Sequence, residues 1–297
     1  MVDICLEAGV NAFDTANVYS AGRSEEVLGA AIAGRREKLI ISTKATFSMG
    51  NRPNDYGASR HALFTACDAS LKRLRTDYVD IFYLHGMDMH TPLDETLRAL
   101  DDLVTAGKIR YIGCSNFSGW RLMKALSLSE RHGWSRFVAH QAYYALSARE
   151  FEWELMPLGQ EEKVGTVVWS PLGGGSLSGK FRRNQPMPAE SRNGQLGRFL
   201  FDQSDRLYDI VDTLEAVAGE LGKTVPQVAL AWLLRRPTVT SLVIGARNEV
   251  QLRSNLEAVS CELSDAHIKA LDAASERRPT YPYWHQRDFP LLNPRVV

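Results

Sequence analysis

Asp14, Tyr19, Lys44 and His85 are residue types that together can move a proton, and three of them stand at the ends of short apolar runs. NAFD ends on Asp14, KLIISTK ends on Lys44, and YVDIFYL is followed at once by His85, while Tyr19 lies just beyond Asp14. A tyrosine is a poor acid at its reference pKa of about 10, but a neighbouring ammonium stabilises phenolate and brings a phenol toward working pH. A carboxylate beside the lysine holds the ammonium charged and oriented. A histidine next to the phenol donates or relays a proton and helps fix a carbonyl oxygen. Such a set suits protonation of a carbonyl oxygen as hydride arrives at its carbon. Taken singly, each residue has an ordinary role: Asp14 before Thr15 caps a turn, Lys44 ends a strand in solvent, Tyr19 is a loop aromatic and His85 a buried histidine. Spacing alone does not choose between these readings; a shared location would.

The elements that must supply that location alternate along the chain. Strands are expected at 11–14, 38–44, 78–84, 110–114, 137–141, 165–170 and 239–244, from short apolar, often β-branched runs. Helices are expected at 23–33, 58–74, 93–105, 118–132, 148–163, 207–221, 226–235, 249–258 and 265–274. In the second of these, Leu63, Ala66, Cys67, Leu71 and Leu74 form a helical stripe; Pro92 opens the third and Gly107 ends it. A polar stretch at 182–203 follows a turn rich in Gly and Ser. Seven strands in β-then-α order, most apolar enough to be covered on both faces, fit an α/β (β/α)8 TIM barrel with its first strand absent. Asp14, Lys44, His85, Ser115, Asn116, Gln141, Trp169 and Ser170 all fall at or just after the C-terminal ends of these strands, the face where barrel enzymes collect their chemistry. An open doubly wound sheet would instead gather binding at one switch point, and no G-x-G-x-x-G follows a first strand.

Length and composition agree with one such barrel spanning 1–297, with a tail at 276–297. The 297 residues suit a barrel of about 250 residues with additions. Lys plus Arg equal Asp plus Glu at 35 each, so no polybasic surface points to nucleic acid or an anionic membrane. No apolar run approaches the ~18 residues of a membrane span, and no signal peptide is visible. Cys5, Cys67, Cys114 and Cys261 offer neither a C-x-x-C motif nor a zinc ligand set, and read as reduced, mostly buried thiols of a cytoplasmic protein. Only ten residues precede Asn11, and DICLEA resembles the tail of a helix. The expectation is therefore a truncated barrel whose second and eighth strands each lack a neighbour and expose backbone N–H and C=O groups.

The segment NAFDTANVYSAGRSEEVLGAAI resembles the motif of the aldo-keto reductase superfamily: a strand-end Asp, then Thr-Ala, a Tyr five residues on, then Gly, Ser-Glu and Leu-Gly. ISTK, DYVDIFYLHG, GKIRYIGCSNF, VVWSPLGGGSLSGK and VIGARNEVQLRSN continue the same order, so the resemblance covers essentially the whole chain. It implies a (β/α)8 barrel that binds nicotinamide cofactor, usually NADPH, without a Rossmann domain. It also carries the family tetrad onto Asp14, Tyr19, Lys44 and His85, with Tyr19 as general acid in reduction and base in oxidation.

The cofactor positions carry over as well. By resemblance Ser115, Asn116 and Gln141 hydrogen-bond the nicotinamide carboxamide, and Trp169, where many relatives have Tyr, lies against the ring. Ser170, Leu172, Gly173, Gly175 and Leu177 match the loop around the pyrophosphate, where glycines permit close backbone approach, and Lys180 adds a positive charge. Gly245 to Asn255 matches the adenosine end: Arg247 approaches the 2′-phosphate, and Gln251 and Asn255 contact the phosphate side and the base. Relatives commonly have Glu before that Asn; here it is Ser254, which weakens adenine contact, and the absence of a second obvious cationic clamp leaves NADPH only modestly preferred over NADH. Phe47, Gly86 and Met87 to His90 shape the rim of the substrate pocket. The expected protein is a cytoplasmic NADP(H)-dependent reductase of a small aldehyde or ketone, with no nucleic-acid or membrane partner and an oligomeric state the sequence leaves open. Potassium-channel β subunits resemble the same family, so the alternative is a catalytically weak NADPH-binding redox-sensing or regulatory subunit. A third reading is a remnant inactive because its barrel is open. The aromatic tail, with Tyr281, Tyr283, Trp284 and Phe289, is expected to pack over the barrel or reach a partner.

Overall fold

The computed structural model describes residues 1–181, 183 and 204–292. Contacts within it divide the chain into two units, 1–141 and 142–297. In the first, α1 (Val2–Glu7) precedes β1 (Ala12–Asp14), α2 (Arg23–Ala31), β2 (Ile40–Ala45), α3 (Arg60–Leu74), β3 (Val79–Leu84), α4 (Leu93–Thr105), β4 (Ile109–Ser115), α5 (Gly119–His132) and the start of β5 (Phe137–Tyr143). Each of these strands pairs parallel with the next. Parallel neighbours need a long crossover, which the intervening helices supply.

Local sequence explains these elements. Helix α4 opens behind Pro92 with Asp94 and Glu95 in its first turn, favourable to the helix dipole, and buries Leu93, Leu97, Leu100 and Leu103 along one stripe. Gly107, just past its end, takes φ 73°, a left-handed conformation that suits glycine. Leu97, Leu100 and Leu103 join Ile41, Leu63, Leu74 and Phe82 as fully buried side chains, each contributing on the order of 1.5–3 kcal/mol of apolar burial.

The second unit holds α6 (Leu155–Glu162), β6 (Gly165–Trp169), α7 (Asp205–Leu221), α8 (Val225–Leu234), β7 (Val239–Leu242), α9 (Glu249–Leu256), α10 (Asp265–Ser275) and α11 (Tyr283–Arg287). β6 pairs parallel with β7. Its core gathers Tyr144, Phe151, Met156, Ile210, Leu214 and Trp232. Through the sheet as a whole the strand order follows the sequence, β1 to β7. The fold is α/β, with parallel strands and helices alternating as in a (β/α)8 barrel with one strand absent.

All seven expected strands form, each within two residues of its expected bounds. The two end strands are less covered than expected for strands buried on both faces: neither β1 nor β7 contains a fully buried residue. The expected helix at 148–163 is broken into a short 3-10 turn, Glu150–Glu152, and α6. Pro157 is the physical reason, because it has no N–H to bond the Trp153 carbonyl and fits only in the first turn of a helix that starts anew at Leu155. The expected helix at 249–258 stops at Leu256 and tightens into a 3-10 turn, Glu257–Ser260. In the tail α11 was not expected; Tyr283 faces Trp153 with ring centroids 6.2 Å apart. The polar stretch 182–203, Arg183 apart, and the last five residues of the tail lie outside the described residues. The four cysteines are unpaired, and Cys67, Cys114 and Cys261 are buried. Among the described residues no helix is long and apolar enough to cross a membrane, and no group of three or more His, Cys, Asp and Glu could hold a metal.

Candidate active site

Strand register brings Asp14 and Lys44 together. Asp14 stands opposite Ser42, and Lys44, two residues further along β2, stands opposite Tyr83. Residues two apart on a strand share a face, so Ser42 and Lys44 both reach Asp14. The Lys44 ammonium donates to Asp14 Oδ2 and, at 2.7 Å, to the Thr15 carbonyl. Asp14 Oδ1 accepts from Ser42 Oγ at 2.7 Å and from Gln141 Nε2 at 3.0 Å. The Lys44 side chain is fully buried and that of Asp14 only 14% exposed. A buried ammonium is expensive unless paired and hydrogen-bonded, and here it is both.

Tyr19 is carried over this pair by a tight turn. Thr15 and Asn17 donate their N–H groups to the carbonyls of Ser42 and Lys44, which prolongs the β1 ladder past Asp14. The chain then closes a 3-10 turn, Tyr19–Gly22, with Ser20, Ala21 and Gly22 all left-handed, at φ 49°, 52° and 92°. Non-glycine residues adopt that conformation only at a steric cost. The result sets the Lys44 ammonium 5.0 Å from the Tyr19 ring centroid. Tyr19 stays 40% exposed, and among the described residues its hydroxyl has no hydrogen-bond partner. Tyr83 is the instructive contrast. It is 1% exposed, with its phenol pushed far above the usual tyrosine range by burial and then by the Asp14 charge, and is a neutral core residue.

His85 completes the group. Its ring meets Tyr19 edge-on, centroids 5.5 Å apart, and Phe47 stacks on it at 4.4 Å. Burial, then the Lys44 charge, push its pKa down to about 4 against the opposing effect of Asp14, so the imidazole is neutral at pH 7. Its Nδ1 is buried with no partner among the described residues. Asp14, Tyr19, Lys44 and His85 thus form one contiguous constellation.

The positions expected to meet a carboxamide are spread along the adjoining strand ends. Ser115 is buried. Asn116, exposed and left-handed at φ 59°, donates its side-chain amide to the His85 carbonyl at 3.0 Å and its N–H to the Gln141 carbonyl at 3.2 Å. Gln141 is buried, with its amide N–H engaged by Asp14.

In the second unit, Trp169 is half-buried, with Tyr143 stacked on one face at 4.9 Å. After it, Ser170 and the run Gly173, Gly174, Gly175 take positive φ. The N–H groups of Gly173, Gly175 and Leu177 donate to carbonyls within the loop, which makes it a self-supported turn. A Cβ at Gly173 would strike Ser176 Oγ at 2.5 Å, whereas one at Gly175 would meet nothing within 4 Å, so the loop offers bare backbone there. Leu172 is half-buried, Leu177 buried and Lys180 exposed. Further on, Gly245 and Arg247 are exposed, Asn248 caps α9 by accepting from Gln251 N–H at 2.9 Å, and Gln251 Oε1 accepts from Arg247 N–H at 3.1 Å. Asn255 is half-buried; the carbonyl of Ser254 accepts from Gln227 Nε2 at 2.9 Å.

Sequence reasoning missed Ser42 and the Thr15 carbonyl as holders of the Asp14 and Lys44 charges, and the bond between Gln141 and Asp14. The i, i+2 spacing of Ser42 and Lys44 on one strand was the available signal for the first. Nothing local announces the last, which joins residues 127 positions apart.

A buried ammonium and its carboxylate partner thus lie beneath a solvent-reached phenol, beside a neutral imidazole, at the ends of parallel strands of an α/β fold. The family model for the aldo/keto reductase family matches residues 1–276. The chain belongs to the aldo/keto reductase family. It is 38% identical over 269 residues to a probable voltage-gated potassium channel subunit beta of Arabidopsis thaliana, covering 87% of this chain and 80% of that one. An uncharacterized oxidoreductase of Bacillus subtilis is 34% identical, covering 92% of this chain and 85% of that one. The versiconal hemiacetal acetate reductase of Aspergillus parasiticus is 31% identical, covering 95% and 88%.

Proposed function

We propose that this protein is an NADP(H)-dependent reductase of small aldehydes or ketones, with Tyr19 as the proton donor. The observation that carries the reading is the fully buried Lys44 ammonium, 5.0 Å from the centroid of a phenol ring that solvent reaches. When bound, the reduced nicotinamide supplies hydride to the carbonyl carbon. Tyr19 donates its hydroxyl proton to the carbonyl oxygen as negative charge gathers there, and Lys44 stabilises the phenolate left behind. Asp14, held by Ser42 and Gln141, fixes the ammonium in place. Neutral His85 offers a ring nitrogen as a hydrogen-bond partner without adding a competing charge.

The residues present fit the cofactor. Ser115, Asn116 and Gln141 would hold the carboxamide, and Trp169 offers an aromatic face to the nicotinamide. Ser170, Leu172, Gly173, Gly175 and Leu177 supply the turn for the pyrophosphate, where the open space at Gly175 admits close approach. Lys180, Gly245, Arg247, Gln251 and Asn255 would serve the phosphates and adenosine. The exposed cation Arg247 favours NADPH over NADH modestly, since a 2′-phosphate adds charge for it to meet, while Lys180 would stand by the pyrophosphate. Four unpaired thiols support a cytoplasmic setting.

A second reading is a weakly catalytic NADPH-binding regulatory subunit, favoured by relatives named as potassium-channel β subunits in Arabidopsis and rice. One experiment separates the two. The purified protein is given NADPH and a small aromatic aldehyde, and turnover is followed by NADPH absorbance alongside fluorescence titration of binding. The reductase reading expects turnover that falls by about 10²-fold or more in Tyr19→Phe at unchanged NADPH affinity. Binding without turnover supports the regulatory reading, and absence of both overturns the cofactor assignment.

A further inference from the structure

We propose that Glu25 is a positioning residue for Tyr19, acting through a buried clasp that fixes the turn on which the phenol rides. This rests on the reading of Tyr19 as proton donor. Glu25 is the third residue of α2 and its side chain is fully buried. One carboxylate oxygen accepts from Thr43 Oγ1 at 2.5 Å and the other from Arg73 Nε at 2.6 Å. Thr43 precedes Lys44 on β2, so its side chain lies on the opposite face of the strand from the ammonium. Glu25 therefore grips from the helix side the same strand that delivers Lys44 from the other.

The grip extends to the turn itself. The stem of Arg73 lies against Gly22, the last residue of the Tyr19 turn, so closely that a Cβ there would come within 2.8 Å of Arg73 Cδ. Arg73 is in turn oriented by Ser70 Oγ at 3.3 Å. A second tie, from Thr15 Oγ1 to Ser24 Oγ at 2.8 Å, joins the far side of the turn to the start of α2. Between these anchors the chain holds Ser20 and Ala21 left-handed, a conformation that persists only where the surroundings over-determine it. Apolar residues usually replace a buried ion pair without loss of stability. What a carboxylate adds at position 25 is direction: it takes donors from β2 and α3 at once and locks the start of α2 to both. With α2 locked, the turn between Asp14 and Arg23 has one way to close, and the Tyr19 ring is set over Lys44 and against His85.

Glu25→Gln tests the clasp, because it keeps the side-chain shape and an acceptor for Thr43 but removes the ion pair with Arg73. Thr43→Val, which removes only the hydroxyl, serves where the first variant does not fold. Turnover of the aldehyde is measured per folded molecule, with NADPH affinity by fluorescence and amide hydrogen exchange across residues 18–23. Positioning predicts that kcat falls about tenfold or more in Glu25→Gln and less in Thr43→Val, since displacing a reacting group by about 1 Å can cost 10²-fold. KM and NADPH affinity should stay within about twofold, with faster exchange confined to the turn. A lower melting temperature with unchanged kcat and unchanged exchange at 18–23 overturns the proposal and leaves Glu25 a stabilising residue only. Wild-type turnover is the control for the reductase reading. Were wild type inert, that reading would fail, while exchange at 18–23 would still decide whether Glu25 holds the turn.

Discussion

Replacing Lys44 with Met is the sharpest perturbation of the site, because it removes one charge from a place that solvent does not reach while nearly keeping the side chain's length. The ammonium lies 5.0 Å from the Tyr19 ring centroid. With the phenolate charge taken as centred on the ring and an effective dielectric of about 20, the pair interacts by roughly 3 kcal/mol, or about two orders of magnitude in rate. The Asp14 carboxylate stays behind with Ser42 and Gln141 as donors, and its uncompensated charge opposes phenolate further, so two orders is the smaller expected loss. The effect belongs to the transition state, where proton donation is under way, and should fall on kcat with KM for the aldehyde and NADPH affinity largely kept. Stability should fall too, because removing one partner of a buried pair costs about 3–5 kcal/mol, with the lower end expected where Asp14 keeps two other donors. Single-turnover hydride transfer, followed by stopped-flow across pH and normalised to folded protein, is the assay. A rate within about threefold of wild type and an unmoved pH profile would refute the role given to Lys44.

Two further outcomes follow from the same geometry. His85 has an ordinary pKa of 6.5 that the fold pushes down to about 4, so between these values the unfolded chain takes up a proton that the native one refuses, and stability rises with pH. Urea unfolding should show the His85 contribution complete above about pH 6.5 and lost as pH falls toward 4, with a shallower slope in His85→Gln. Buried His140, also pushed down to about 4, keeps that slope from vanishing, and equal slopes in the two proteins would contradict the neutral imidazole. Arg247→Ala should weaken NADPH by about five- to thirtyfold, the loss of one charge-assisted contact, and leave NADH within about twofold. Equal weakening of both cofactors would show that Arg247 does not meet the 2′-phosphate.

How much of this was legible in the sequence depended on range. All seven strands and the ends of α4 were readable, because apolar runs, Pro92 and Gly107 are local signals that act where they stand. The break before α6 was readable in principle from Pro157, which fits only the first turn of a helix. Within the first unit the strand-end residues Asp14, Lys44 and His85 were also legible as a set, since a strand end is a local property and parallel pairing then gathers such ends together. What the sequence concealed is which side chains hold which. Gln141 turns to Asp14, Asn116 to the His85 carbonyl and Glu25 to Thr43 and Arg73. Those choices are made by register and by the twist that sets one strand end against another, neither of which leaves a trace in residue spacing.

The charges of the site set one another's roles. Asp14 balances Lys44, so the buried ammonium brings no net charge into the strand ends. Lys44 in turn is the second cause, after burial, of a histidine that stays neutral, and Asp14 pulls the other way, so the imidazole reports the balance between the two. Were His85 cationic at pH 7, a carbonyl oxygen would have two candidate proton donors, and the imidazolium, as the stronger acid, would compete with the phenol. In the proposed reductase, with His85 neutral and Nδ1 enclosed, the imidazole would orient a carbonyl oxygen while the transferable proton stays on Tyr19. Exposure reinforces the division: Lys44 is sealed and His85 nearly so, whereas Tyr19 opens to solvent. In the proposed reaction Lys44 therefore also withholds charge from the rival donor, which is why a single substitution at position 44 should disturb both the rate and its dependence on pH.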